Sequence, residues 1–496
     1  MAKKTINKEL TGAQDLYNFL FEACNIIRGP VSQDNFKDYI TPLLYYKRIS
    51  DVYDEETEEA LISSGGDKEY ASLPEQHRFV IPDGCHWQEV RERTENLGAA
   101  IVGAMRQIEI ANPDTLYGVL SMFSSQKWTN KAILNDSKIR DLIEHLSKRK
   151  LANKDYPADL MGDAYEILLK KFADDSKAQA GEFYTPRSVV RLLVHILDPQ
   201  PGETVYDPAC GSGGMLIEAI RYMHDDSLCC GSIFGQEKNV VNAAIAKMNL
   251  FLHGASDFNV MQGDTLRDPK ILQGGNIAKF DCVIANPPFS LENWGATEWS
   301  SDKYKRNIYG TPSDSCGDYA WIQHMICSMA SGQGRMAVVM PQGILFRNQE
   351  TEIRKQLVES DLIEAVVTLG DKLFYGTGLS PCFLIIRRMK PAHHSGRILM
   401  IDGSKILTQK RAQNILAEND IDRLYSLYQN YSDEEDYSRI VTLQEIRDKE
   451  YNLSPNRYVV YRKEEIRPYA EVLAEFKHAY EDVKRLEKEF SLLINA

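Results

Sequence analysis

Asn286-Pro287-Pro288-Phe289 places a side-chain amide, two rigid residues and an aromatic ring directly after an apolar run, residues 280–285. Proline lacks the amide hydrogen that a strand ladder needs, so the run predicts a buried strand that ends at Asn286. The amide oxygen of Asn286 and the carbonyl of Pro287 are two acceptors that could hold both hydrogens of an exocyclic amine. Phe289 could stack on the ring that carries the amine, and the prolines would keep the acceptors in place. The pattern predicts a site for an amino group on a flat heterocycle.

A second group of residues lies in the stretch TVYDPACGSGGMLIEAI, which predicts a strand, a glycine-rich turn and a helix. Gly211 and Gly213 fit the start of the dinucleotide-binding pattern, but Leu216 stands where that pattern needs Gly or Ala. Asp207 ends the strand just before the glycines. A carboxylate there would repel a pyrophosphate but accept a hydrogen bond from an ammonium group, directly or through water. The turn therefore favours S-adenosylmethionine over NAD.

Two further acidic residues end the next predicted strands. Glu237 follows the glycine turn at a spacing near that of residues that bind ribose hydroxyls, and Asp264 could accept from the adenine amino group of the cofactor. Each alone is more typical of a solvated strand end, but three acidic residues in consecutive βα units favour one shared ligand site. Because ligands bind at the carboxyl ends of parallel strands, we expect Asn286 to border the same crevice.

These residues need a parallel sheet to bring them together. From about residue 160, short β-branched runs alternate with helical stretches, which predicts an α/β fold with a Rossmann-like, mostly parallel sheet and helices on both faces. We assign residues 161–395 to this catalytic domain and residues 1–160 to a helical N-terminal domain. Residues 396–496 predict a C-terminal extension that ends in an amphipathic helix. That helix could fold back on its own domain or pair with a partner helix.

Composition narrows the classes of function. The 496 residues carry a net charge of −13, which argues against strong solitary DNA binding and leaves room for a basic partner. No apolar stretch reaches the roughly 18 residues of a membrane span, and the N-terminus lacks the apolar segment of a signal peptide, so we expect a cytoplasmic protein with no membrane partner. The nine cysteines form no CxxC pair, so we expect no metal site.

The combination of DPACGSGG with NPPF resembles the amino-group DNA methyltransferases, and GEFYTPR precedes the turn as the cofactor-embracing loop of that family does. More narrowly, nearly the whole chain resembles the modification subunits of type I restriction–modification systems. The N-terminal stretch IIRGPVSQDNFKDYITPLLYYKRISDVYDEE and the later segments GDYAWIQHMI, VVMPQGILFR and YNLSPNRYV carry that resemblance.

The resemblance implies a site-specific DNA methyltransferase that transfers a methyl group from S-adenosylmethionine to N6 of a flipped-out adenine. It implies that Glu237 takes the ribose and that Asn286, Pro287 and Phe289 hold the adenine. A loop at the methionine end of the cofactor and a turn beneath it would be formed by Glu182, Phe183, Tyr184, Thr185, Pro186, Arg187, Ser212, Gly213 and Gly214.

The resemblance also implies partners. They are DNA, a specificity subunit that reads the target sequence and binds two copies of this chain, and, in some systems, a restriction subunit. Residues 396–496 leave little room for a target-recognition domain, which favours recognition by another chain. The sequence contains no GxxxxGK[ST] motif, so ATP-driven steps would belong to another subunit.

Three alternatives stay open. An N4-cytosine DNA methyltransferase would use the same chemistry, although its motif more often has Ser or Asp at the position of Asn286. A protein glutamine methyltransferase also uses two prolines followed by an aromatic residue, but it would not need the long helical N-terminus. A non-catalytic cofactor-binding scaffold is the third, and intact Asn286 and Phe289 argue against it.

Overall fold

The computed structural model describes residues 2–116, 118–120, 125–175, 185–223, 232–255, 257–374, 380–410, 413–462 and 469–494. Three predicted site residues, Glu182, Phe183 and Tyr184, lie outside the described residues. Within the described ranges, no helix combines the length and the apolar character that crossing a membrane requires.

The described part of the chain up to residue 175 is helical, as predicted. Apolar side chains three and four apart, such as Leu16, Leu20, Ala23 and Ile27, are fully buried because they form one face of the first helix. The helices are α1 (Ala2–Ile27), α2 (Phe36–Ser63), α3 (Lys68–Ala71), α4 (Trp87–Arg91), α5 (Leu97–Ala111), α6 (Pro113–Leu116), α7 (Ser125–Thr129), α8 (Asp136–Leu146) and α9 (Ala158–Asp175).

Strands and helices then alternate. The helices are α10 (Arg187–Leu197), α11 (Gly214–Met223), α12 (Val240–Leu252), α13 (Ala296–Trp299), α14 (Asp318–Ser328), α15 (Thr351–Glu359), α16 (Glu418–Asn430), α17 (Leu443–Asp448) and α18 (Tyr469–Ile494). The strands are β1 (Val205–Asp207), β2 (Ile233–Glu237), β3 (Phe258–Gln262), β4 (Leu272–Gln273), β5 (Asn276–Ile277), β6 (Cys282–Ala285), β7 (Arg335–Pro341), β8 (Ile363–Leu369), β9 (Pro381–Arg387), β10 (Arg397–Gly403) and β11 (Ser438–Thr442).

Nine of these strands form one sheet in the order β11-β10-β8-β9-β7-β6-β1-β2-β3, and β4 and β5 form a separate pair. Strands β9 and β11 run antiparallel to their neighbours, whereas every other neighbouring pair in the large sheet is parallel. The predicted mostly parallel sheet is therefore confirmed. Strands β1 and β6 are neighbours; β2 and β3 follow on the outer side of β1, and β7 lies on the other side of β6. This is a topological switch point, where the carboxyl ends of the strands open a crevice.

Both faces of the sheet are covered. Along β6, Cys282 and Ile284 join one apolar cluster with α10, α11 and α16, while Val283 and Ala285 join another with α14 and α15. This alternation explains why the strand reads as a continuous apolar run, since a strand buried on both sides has no solvated face. The helices on both faces agree with the prediction.

The sheet continues past residue 395, because β10 pairs with β8 and β11 pairs with β10. The domain boundary predicted at residue 395 therefore falls inside a single sheet. Tyr458 is also buried in the cluster that contains α14 and α15. We propose a catalytic domain that extends at least to Tyr458, which leaves a shorter C-terminal extension around α18.

Candidate functional site

The register of β1 and β6 brings two predicted site residues to the same edge of the sheet. Val205 pairs with Cys282 and Tyr206 with Val283, so Asp207 and Asn286 leave their strands close together. A cavity of about 420 Å³ opens at this edge. Nine of the predicted residues line it: Thr185, Arg187, Asp207, Gly211, Ser212, Gly214, Glu237, Asn286 and Pro288.

Other predicted residues lie beside this cavity rather than in its described wall. Phe289 packs against the sheet core, with its ring centroid 6.4 Å from that of Phe374. Asp264 pairs with Lys238 at 2.8 Å, and it is Lys238 that reaches the wall. Pro186 precedes the first residue of α10. Pro287 and Gly213 are likewise not among the described lining residues.

The glycine turn lines the cavity without filling it. Gly211 and Gly213 have positive φ angles of 53° and 86°, which a side chain adopts only with strain. A Cβ atom added at Gly211 or Gly214 would meet no atom within 4 Å, so the backbone of the turn leaves space for a ligand. The carbonyl of Ser212 accepts a hydrogen bond of 2.9 Å from the buried Asn249 of α12, which supports the turn from below.

Asp207 places a buried carboxyl group beside this turn. Its Oδ1 accepts a hydrogen bond of 2.9 Å from the backbone N–H of Ala209. Burial, aided by the negative charge of Glu237, raises the pKa of Asp207 to about 8. A cationic ligand group beside it would lower the pKa again, because the ionised form would gain a partner. The residue is therefore suited to an ammonium group.

Glu237 ties the end of β2 to the turn. Its Oε2 accepts a hydrogen bond of 3.0 Å from the backbone N–H of Gly211, and its Oε1 accepts one of 2.7 Å from Asn239. A carboxylate has about four lone-pair sites, which is more than these two backbone donors occupy. The side chain is thus fixed in place while it still faces the cavity.

Asn286 has its amide oriented by another residue of the wall. Its Nδ2 donates a hydrogen bond of 2.8 Å to the hydroxyl of Thr185, and the residue is 8% exposed. Its Oδ1 is buried and has no hydrogen-bond partner among the described residues. A buried acceptor without a donor is costly, typically about 1–3 kcal/mol. The arrangement therefore presents an acceptor for an N–H group of a ligand.

Sequence reasoning missed several residues of the wall. Lys238, Asn239 and Asn242 follow the predicted Glu237 within five positions, so the carboxyl end of β2 pointed to them. Glu218 lies one turn into α11, four residues after Gly214, and helical spacing returns it to the cavity. The signal that could have identified these residues is their polar character, directly after β2 and in the first turns of α11.

Comparison with family models agrees with this geometry. The model of the N-6 DNA methylase family matches residues 156–466, and that of the HsdM N-terminal domain matches residues 16–146. The first match spans more than half of the chain and includes every strand of the large sheet. The second falls within the helical N-terminal part.

Individual relatives are also similar over most of their length. The type I restriction enzyme MjaVII methylase subunit of Methanocaldococcus jannaschii is 35% identical over 90% of this chain and 78% of its own. The HindI methylase subunit of Haemophilus influenzae is 31% identical over 70% of this chain and 76% of its own. A crystal structure of a type I restriction-modification methyltransferase subunit from Streptococcus thermophilus superposes with a TM-score of 0.77, at 26% identity, and covers 91% of this chain and 100% of that one.

Proposed function

Because this chain belongs to the N-6 DNA methylase family, and within it to the methylase subunits of type I restriction enzymes, we propose that the cavity between β1 and β6 is where N6 of adenine is methylated. The chain is an adenine-specific DNA methyltransferase, and S-adenosylmethionine is its methyl donor. The observation that carries the placement is that Asn286, whose buried Oδ1 has no partner among the described residues, lines one cavity with Asp207 and the glycine turn.

The residues present fit the cofactor. Asp207 would accept from the ammonium group, the open backbone of Gly211 and Gly214 would lie under the methionine end, and Glu237 would take the ribose hydroxyls. Thr185 and Arg187 would complete the wall. When bound, S-adenosylmethionine supplies a methyl group on a positively charged sulfur, which is a good leaving group.

The chain's own contribution is to hold the adenine amine. Oδ1 of Asn286 would accept one N6 hydrogen and the carbonyl of Pro287 the other, which fixes the amine and frees its lone pair for attack. Phe289 would stack on the base after it leaves the duplex. N6 would form a bond to the methyl carbon as the bond between that carbon and sulfur breaks, and N6 would lose one proton to water. The mechanism needs no side-chain nucleophile, because positioning and hydrogen bonding supply the catalysis.

The C-terminal helix α18 supports an interaction with a second subunit. Its large apolar side chains Val472, Phe476, Tyr480, Val483, Leu486 and Phe490 are between 46% and 65% exposed. They recur three or four apart and form one face, as the sequence predicted. We propose that this face docks on a specificity subunit that binds two copies of the chain and reads the DNA target. A restriction subunit would complete such an assembly in the cytoplasm.

Mapping of modified bases tests the function directly. DNA from a host that carries the gene and its partner should contain N6-methyladenine at one defined sequence, and DNA from the same host with the Asn286→Ala gene should not. Methylation at N4 of cytosine with unmodified adenine would overturn the proposed placement of adenine. Methylated glutamine in a protein, again with unmodified adenine, would favour the protein methyltransferase alternative.

A further inference from the structure

The backbone just after the NPPF tetrapeptide is held in an unusual conformation. Ser290 follows Phe289 with φ of +50°, in the left-handed region that non-glycine residues rarely adopt. Such a conformation persists only where the surroundings enforce it. Here the backbone N–H of Ser290 donates a hydrogen bond of 2.7 Å to Oδ1 of Asp318, and the carbonyl of Leu291 accepts one of 3.0 Å from Gly317. The exit of the tetrapeptide is therefore fastened to the start of α14.

Asp318 is a buried charge with a full set of partners. It is 1% exposed and lies at the first position of α14, where the helix dipole stabilises a negative charge. Its Oδ2 accepts from Nη2 of Arg347, and the thiol of Cys316 lies 3.3 Å from the same oxygen. Arg347 is itself held by Glu350, whose Oε2 lies 3.0 Å from its Nε. Burial of a carboxylate costs free energy because the charge loses its hydration. A buried ion pair of this kind is therefore better explained by the conformation that it fixes than by the stability that it adds.

We propose that Asp318, held by Arg347, is a positioning residue for methyl transfer. Its carboxylate fixes Ser290 and thereby the directions in which Phe289 and the carbonyl of Pro287 face the adenine. The inference rests on the proposed function for the identity of the base that is held. Nothing in it concerns cofactor binding, because Asp318 is not among the described residues that line the cavity. The expected defect is therefore in turnover and not in cofactor affinity.

The test uses the complete methyltransferase, assembled with its partner subunit, and the variants Asp318→Asn and Arg347→Gln. Each removes the charge pair, so kcat should fall by roughly 10- to 100-fold, since small displacements of a reacting group are costly. The affinity for S-adenosylmethionine should stay within about twofold, because the cavity wall is untouched. Arg347→Lys keeps the charge and should restore part of the lost turnover.

The matched control is Glu364→Gln. Glu364 is also a buried carboxylate paired with an arginine, Arg387, on the same sheet but on β8 and β9. Its variant should lose a similar amount of thermal stability and keep the kcat of the wild type. An Asp318→Asn enzyme with wild-type kcat, or with a loss equal to that of Glu364→Gln at matched melting temperature, would overturn the positioning role.

Total transfer of labelled methyl groups and the identity of the methylated product are measured separately. If the wild type methylates a group other than adenine N6, the proposed function fails. The comparison of variants still judges Asp318 in that case, because the same tetrapeptide would hold the other amine.

Discussion

The side-chain amide of Asn286 donates a hydrogen bond of 2.8 Å to the hydroxyl of Thr185, a residue 101 positions earlier in the chain. The bond decides which way the amide faces, because Thr185 uses the amide nitrogen and leaves the buried oxygen without a partner among the described residues. The segment that precedes α10 therefore helps to prepare the acceptor at the end of β6. In the proposed site, Thr185 would therefore serve both the cofactor pocket and the base pocket.

Replacement of Thr185 should consequently impair methyl transfer. Thr185→Val keeps the shape but removes the hydroxyl, so the amide loses its orienting partner and kcat should fall by roughly tenfold. Thr185→Ser retains the hydroxyl and serves as the matched control with near wild-type kcat. Steady-state methylation assays on the assembled enzyme measure both, and equal kcat for the Val and Ser variants would contradict the orienting role.

Two neighbouring glycines should fail for different reasons. A side chain at Gly214 would enter open space beside the cavity, so Gly214→Leu should weaken S-adenosylmethionine binding while the melting temperature changes little. A side chain at Gly213 would instead approach Ala246 of α12 at 3.5 Å and would be forced to φ of +86°. Gly213→Val should therefore lower stability as well as affinity.

Calorimetric titration and thermal melting separate these two effects. At Gly213 the expected defect comes from strain in the turn, and at Gly214 it comes from occupation of the proposed cofactor space. Unchanged cofactor affinity in a folded Gly214→Leu protein would refute the placement of the cofactor over the turn.

Cofactor binding should depend on pH through Asp207. Burial raises the pKa of this carboxyl to about 8, so below that pH the free protein holds the proton and must release it to meet an ammonium group. Affinity should therefore rise as pH increases toward about 8, by at most roughly tenfold per unit, and level off above it. Titration calorimetry in two buffers of different ionisation enthalpy would detect the released proton.

The variant Asp207→Asn provides the comparison, because it removes the titrating group and leaves the ligand's own ionisation unchanged. The raised pKa of Asp207 also makes the stability of the folded protein depend on pH. The folded-state pKa lies above the unfolded value, so the wild type should lose stability relative to this variant as pH rises from about 4 to 8. Identical pH profiles of cofactor affinity for the two proteins would exclude Asp207 as the ammonium acceptor.

The sheet and the edge of the site were predictable from the sequence, because both follow from local rules. Alternation of short apolar runs with helical stretches predicts parallel strands, and polar residues at strand ends mark the ligand edge. Asp207, Glu237 and Asn286 were found by this rule, and the structure places all three around one cavity. The amphipathic C-terminal stretch likewise forms the predicted helix.

Details that depend on contacts between distant segments were not predictable. The position of Asp264 at the end of a predicted strand suggests a ligand role, yet its carboxylate pairs with Lys238 and is not part of the described cavity wall. The bond between Ser290 and Asp318 joins the NPPF exit to a helix that follows 28 residues later, and no local pattern announces it. The reversed β9 was also missed, since an apolar run carries no information on strand direction.

Removal of α18 should separate assembly from cofactor binding. Deletion of residues 468–496 removes the exposed apolar face, and loss of several large buried side chains at an interface costs several kcal/mol. The truncated chain should fail to co-purify with the specificity subunit and still bind S-adenosylmethionine. The variant Lys477→Glu, which changes an exposed residue of the same helix, should still assemble.

Assembly of the truncated chain would show that other surfaces join the subunits. Efficient methylation of one defined sequence by the intact chain alone would also contradict the assignment of target recognition to a second subunit.

The most direct measurement compares Asn286→Ala with the wild type in the assembled enzyme, with kcat for adenine methylation and cofactor affinity measured on the same preparations. Removal of the buried acceptor should lower kcat by about 100- to 1,000-fold, because one oriented hydrogen-bonding group is lost at the reacting centre. The affinity for S-adenosylmethionine should survive, since Asp207, Glu237 and the glycine turn remain. Near-normal turnover in this variant would contradict the account that Asn286 holds the adenine amine.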